Sequence, residues 1–184
     1  MMLTWFHRRR QRKRTAQNIY GSIVAQARQP AFYAELRVPD TIEGRFELLV
    51  IHLFLAIEAL RQAGKEGQDL SGDLVDMFAA DMDATLREMG IGDLKVPKHM
   101  RSLAEVLHDR MGAYRAAVAE GTDALAPLLT RHVYRSAGEH GTTADRLARY
   151  MSASHAALTG GDGGDGSGAG IDFAPVTAAA ARTA

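Results

Sequence analysis

The chain has no cysteine among its 184 residues, only five prolines, a single tryptophan and no long apolar run. Missing cysteine excludes disulfides, thiolate catalysis and zinc sites built on sulfur. It also fits a reducing compartment. So few prolines leave room for long helices. The most apolar stretch, Leu48–Ile57, contains His52 and is flanked by Glu47 and Glu58. As a helix it is about 15 Å long against about 30 Å of bilayer hydrocarbon, so it reads as a core helix and not a membrane span. The seven histidines never fall four residues apart, which leaves no helical metal-ligand pair. No Ser-His-Asp or paired-carboxylate constellation is present. Neither a metal nor a cofactor is expected, and the chain does not read as an enzyme.

The charges that are present are unevenly placed. Net charge is zero, yet Arg8, Arg9, Arg10, Arg12, Lys13 and Arg14 precede the first acidic residue, Glu35. The remainder is therefore acidic on balance. Residues 1–12 read as a mobile basic arm with Trp5 and Phe6 near its tip. Near an anionic membrane six cations contribute at most about 6 kcal/mol, screened by salt, and the two rings suit a headgroup region. The same arm, Trp5, Phe6, Arg8, Arg9, Arg10, Arg12, Lys13 and Arg14, suits RNA phosphates equally well. Gln11 and more charge follow the triple arginine, so a twin-arginine export signal is not expected. Arginine outnumbers lysine, and alanine and glycine are abundant, which points to a GC-rich bacterial source. The expected location is cytoplasmic, with peripheral contact at the inner membrane.

Hydrophobic spacing predicts an all-α fold, a single compact domain of five or six helices over 13–158. The first helix is expected from Lys13 to Arg28, ended by Pro30, and a short one follows over Ala31–Arg37. Asp40 with Glu43 three residues on resembles a capping box opening the main helix, which runs to Ala63. Residues 64–69 read as a polar turn. A helix over Leu70–Met89 places Leu74, Phe78, Met82, Leu86 and Met89 on one face, with Gly90 as its C-cap. Pro97 starts a helix to about Ala119. Thr122 caps one to Arg135, and the last begins near Thr142. From Thr159 to Ala184 the chain is Gly- and Ala-rich and reads as a disordered tail. Its run Gly160–Asp165 matches one calcium-binding repeat, but a single unstacked copy reads as a linker.

Helical geometry singles out one stripe of the main helix. Glu47 and Glu58 fall about 20° apart around the axis, with Ile51 and Phe54 between them. Apolar residues on a charged stripe must be covered by the chain, covered by a partner, or left exposed. Ile51 and Phe54 are therefore candidate partner contacts, whereas His52 points inward as a satisfied core histidine. Asp81 and Asp83 diverge by about 200° on their helix and cannot share a metal. Lys95, Lys98, His99 and Arg101 crowd a helix N-terminus, where the helix dipole disfavours cations. They call for an acidic mate or a partner.

Taken in order, Ile19-Tyr20-Gly21-Ser22-Ile23-Val24, Pro30-Ala31-Phe32-Tyr33, Asp40 through Leu49 with Leu53, Phe78 through Asp83, Leu86 through Asp93, and Val96-Pro97-Lys98 resemble the ubiquinol–cytochrome c chaperone family. The resemblance implies a non-enzymatic helical domain that assists cytochrome b or another subunit of the bc1 complex, close to the ribosome. It implies no DNA partner. Carried over residue by residue, it makes His52, Asp81, Asp83, Arg87 and Lys98 interaction candidates. The alternative reading is a helical adaptor binding membrane or RNA without chaperone action.

Overall fold

A computed structural model describes residues 2–135, 141–160 and 170–181; the side chains of residues 2–8, 141, 179 and 181 lie outside that description. Eight α-helices and no strand occur among the described residues, two of the helices having six residues or fewer; the all-α class and six longer helices agree with the spacing. The first, α1, spans Met2–Ala27 and so begins well before the expected Lys13. The reason is local. No proline or glycine occurs before Gly21, and arginine, lysine, glutamine and leucine are good helix formers. The basic segment expected as an arm is thus the first turns of α1.

Short α2 (Pro30–Ala34) uses Pro30 at its start and buries Phe32. The central helix α3 (Ile42–Leu60) is capped by Thr41, whose hydroxyl accepts from the Gly44 amide at 3.1 Å. This corrects the expected Asp40 cap: Asp40 instead pairs with Arg45 at 2.7 Å. At Gly44 a Cβ would lie 2.0 Å from the Pro39 carbonyl oxygen, so only glycine lets the entering chain pass so close.

A tight 3-10 turn, Arg61–Ala63, leads into α4 (Gly64–Glu88). Residues 64–69 are therefore helix and not the expected turn. Gly64 reverses the chain at φ 60°, so one residue replaces a loop. The fifth helix, α5, spans Val96–Glu120 with Pro97 in its first turn. Helix α6 (Thr122–Leu129) contains Pro127, which cannot donate to the Asp123 carbonyl. A wider π-type turn follows over Thr130–Tyr134, where such a lesion is commonly absorbed. Helix α7 is Gly141–Thr159 and α8 is Val176–Ala181.

Helix α3 lies at the centre, packed by α1, α4, α5, α7 and the π-type turn. It is apolar nearly all round, as a surrounded helix must be. Leu48, Val50, Ile51, His52, Leu53, Phe54, Leu55 and Ala56 are completely buried. Arg12 of α1 pairs with Asp73 at 2.7 Å and Asp69 at 3.0 Å, while Tyr20 donates to Asp81 at 2.9 Å. Both ends share one sequence offset, so α1 and α4 run parallel.

The tail departs from expectation. Residues 161–169 lie outside the described set, but Ile171, Val176 and Ala180 are buried against the bundle. The burial of these apolar residues outweighs the alanine-rich composition that reads as disorder. No described helix is long and apolar enough to cross a membrane.

Candidate functional site

A half-open cavity of about 500 Å³ lies between α3, α4, α5 and the end of α1. Three apolar stripes wall it. Ile42, Phe46 and Leu49 come from α3; Met82, Leu86 and Met89 from α4; Leu103 and Val106 from α5. Each set recurs at three- or four-residue spacing and so shares one helix face. Phe46 leans on Phe78 of α4, with 5.9 Å between centroids. At the rim Ile42 is 59% and Met89 51% exposed. Large apolar groups left open beside a cavity mark a surface that something else covers.

Charged groups edge this apolar lining. Asp81 is half-buried and accepts from Tyr20; burial and that carboxylate push the Tyr20 phenol well above its ordinary value. Glu47 is buried and receives two hydrogen bonds from Arg110, at 3.0 and 3.2 Å. Of the three carboxylates lining the cavity, Glu43 is exposed, and Asp81 and Glu47 are committed to structural partners. Arg28 and Arg135 stand exposed at the mouth. No group of three or more potential metal ligands clusters among the described residues. The lining suits docking of an apolar segment with polar ends.

The stripe on α3 is resolved differently from a partner contact. Arg110 and Arg115 of α5 reach over to Glu47 and Glu58, the latter at 2.7 Å, and Arg61 also pairs with Glu58 at 3.0 Å. Between them Tyr114 meets Phe54 edge-on, 5.8 Å between centroids. Ile51 and Phe54 are thereby sealed inside and are corrected as docking residues. His52 is corrected likewise, being wholly buried. Its Nδ1 lies 2.7 Å from the Leu48 carbonyl oxygen and its Nε2 2.8 Å from the Tyr150 hydroxyl. Burial lowers its pKa to about 4. With the ring neutral, Nδ1–H donates to Leu48 and Tyr150 donates to Nε2, while Gln26 donates to the Tyr150 oxygen at 3.0 Å.

Asp81 alone of the remaining candidates lines the cavity. Asp83 and Arg87 pair with each other at 2.7 Å on the outer face of α4, and Arg87 also binds Asp93. Lys98 is exposed near the start of α5, away from the lining. Among the basic residues, Arg9, Arg10, Lys13 and Arg14 are exposed and Arg12 is held by α4; the side chains of Trp5, Phe6 and Arg8 lie outside the described residues. Lys95, Lys98, His99 and Arg101 make no ion pair among the described residues. Ile42, Phe46, Leu49, Leu103 and Val106 are cavity residues that sequence reasoning did not single out. Their periodicity marks them as apolar faces, but nothing in it tells a covered face from an open one.

Residues 34–164 match the Ubiquinol-cytochrome C chaperone family. A ubiquinol-cytochrome-c reductase complex assembly factor 1 from Xenopus laevis is 22% identical over 139 residues, covering 76% of this chain and 70% of its own length. The Mus musculus and Homo sapiens proteins of that name are each 21% identical over the same length, and this chain spans just under half of them, 47% and 46%. The crystal structure of the Cbp3 homolog from Brucella abortus superposes with a TM-score of 0.85 at 37% identity, covering 96% of this chain and 98% of that one. With the family match extending over most of the helical bundle that builds the cavity, the chain belongs to the ubiquinol–cytochrome c chaperone family.

Proposed function

We propose that this chain is an assembly chaperone of respiratory complex III that binds newly made cytochrome b, or another bc1 subunit, through the cavity between α3, α4 and α5. The carrying observation is the half-open apolar groove with Ile42 and Met89 exposed at its rim. Relatives named as complex III assembly factors support the client class. An unassembled membrane subunit presents apolar helices, and an apolar slot with charged edges shields such a helix until its neighbours arrive. The role is binding and release, with no chemical step.

The exposed cations Arg9, Arg10, Lys13 and Arg14 on the outer half of α1 support peripheral contact with an anionic membrane or with the ribosome during client handover. They are also what the rival adaptor reading rests on. In that reading, deleting residues 1–14 abolishes the function and groove changes do not.

Deletion of the gene is expected to lower assembled bc1 complex and cytochrome b. Re-expression of Ile42→Asp/Met89→Asp should fail to restore them, because two carboxylates in the slot repel an apolar segment. Wild-type levels of complex III with that variant present at normal abundance refute the groove as the client site.

A further inference from the structure

The C-terminal segment has a prepared seat. Asn18, Ser22 and Gln26 recur every four residues and form one lane along α1. Gly170 crosses that lane so closely that a Cβ there would lie 2.2 Å from Ser22 Oγ and 3.6 Å from the Asn18 carbonyl oxygen. Beyond it Ile171, Val176 and Ala180 are buried. Phe173 stands edge-on to His52, 5.0 Å between centroids. The floor beneath is held from behind. Gln26, Tyr150, His52 and the Leu48 carbonyl form one hydrogen-bonded chain. Phe32 meets His52 and Tyr150 edge-on at 5.3 and 5.0 Å.

The hydrogen-bonded hold on the segment is light. Gln26 donates to the Ala174 carbonyl at 3.4 Å and Arg149 to the Ala180 carbonyl at 3.3 Å, both long for such bonds. Helix α8 has six residues, too few to persist off the bundle. The sequence joining it to α7 is rich in glycine. Segments with few buried anchors populate the low-stability end of local opening.

We propose that residues 170–181 are a releasable strap: an intramolecular peptide ligand that seats in a groove between α1, α2, α3 and α7, leaves it while the helix bundle stays folded, and is replaceable there by the same peptide in trans. The groove is distinct from the cavity proposed for the client, lying on the opposite flank of α1. Its shape fits a peptide that is non-helical over 170–175 and helical from Val176. Leaving the seat uncovers His52. The groups facing that ring are Leu48 on its own helix, Phe32 of α2, Tyr150 of α7 with Gln26 of α1 behind it, and Phe173 of the strap; none is charged. An uncovered ring takes up a proton more readily, so acid favours the open form.

Hydrogen exchange on the full chain tests the idea. Amides of 171–181 should exchange at least about tenfold faster than those of α3 under native conditions. Phe173→Ala should speed the strap about tenfold more, leave α3 unchanged, and raise the His52 titration midpoint seen by NMR. A labelled synthetic peptide of residues 170–181 should bind this variant and be displaced by unlabelled peptide. Strap amides that exchange only at the rate of α3 in the unaltered chain overturn the proposal, and so does a peptide that fails to bind Phe173→Ala.

Discussion

His52 loses its proton-binding ability on folding. Its pKa falls from 6.5 in the unfolded chain to about 4 because burial disfavours the charged ring. Between those values the unfolded chain binds a proton that the native one excludes. Its contribution to stability is therefore full above pH 6.5 and is lost as pH falls toward 4, by up to roughly 3 kcal/mol. His132, lowered to about 4 by burial and then by Arg110 and Arg131, acts in the same direction. Urea midpoints measured between pH 7.5 and 4.5 should fall, and His52→Gln should flatten that slope. The glycines of α4 give a second test. At Gly67 a Cβ would lie 1.9 Å from the Leu60 carbonyl oxygen, whereas at Gly72 nothing lies within 4 Å. Gly67→Ala should cost about 1–3 kcal/mol, and Gly72→Ala should stabilise by roughly 0.5–1 kcal/mol. Thermal melts of the two variants decide it. That His52 points inward is legible from its place on the helix. That Gly67 is irreplaceable is not, because the clash is with a carbonyl brought back by the 3-10 turn.

The pairing of α3 with α5 shows where pattern reading stops. The stripe Glu47–Ile51–Phe54–Glu58 follows from 3.6 residues per turn, and it correctly demands a cover. The cover is Arg110, Tyr114 and Arg115, more than fifty residues away, and no local spacing names it. The two ion pairs differ in what they withstand. Glu47 is only 3% exposed, so Arg110→Met strands a buried carboxylate and should cost about 3–5 kcal/mol. Arg115 is 46% exposed and Glu58 keeps Arg61, so Arg115→Met should cost about 1 kcal/mol or less. Urea titrations of both variants check the ranking; equal losses would mean that Glu47 reaches solvent. The same limit explains α4, whose first turns lie in a polar, glycine-containing stretch, and the outer half of α1, where charge obscures good helix formers.

Across the whole molecule one continuous core joins all the helices, including α8, while two flanks of α1 bear different openings. One is the apolar cavity walled in part by Asp81, which Tyr20 holds; the other is the seat of the C-terminal segment. Because Ile42 and Met89 lie outside the core, Ile42→Asp/Met89→Asp should shift stability by no more than about 0.5 kcal/mol per site. A melting temperature close to the unaltered chain's would confirm that its failure in complex III assembly is a lost surface and not a lost fold. Leu94, 98% exposed in the α4–α5 loop, belongs to neither opening.

Periodicity and composition were sufficient for the all-α class, the order of the main helices and the inward turn of His52, and the ordered motifs from Ile19 to Lys98 carried the resemblance to the family. Those properties depend on neighbours a few residues apart, which the chain order itself supplies. Which stripe is sealed and which stays open depended on long-range packing. Ile51 and Phe54 went inside because α5 brings two arginines and a tyrosine across them, whereas Ile42, Phe46 and Met89 line the half-open cavity. An apolar face looks the same in a sequence whether or not a distant helix lies on it.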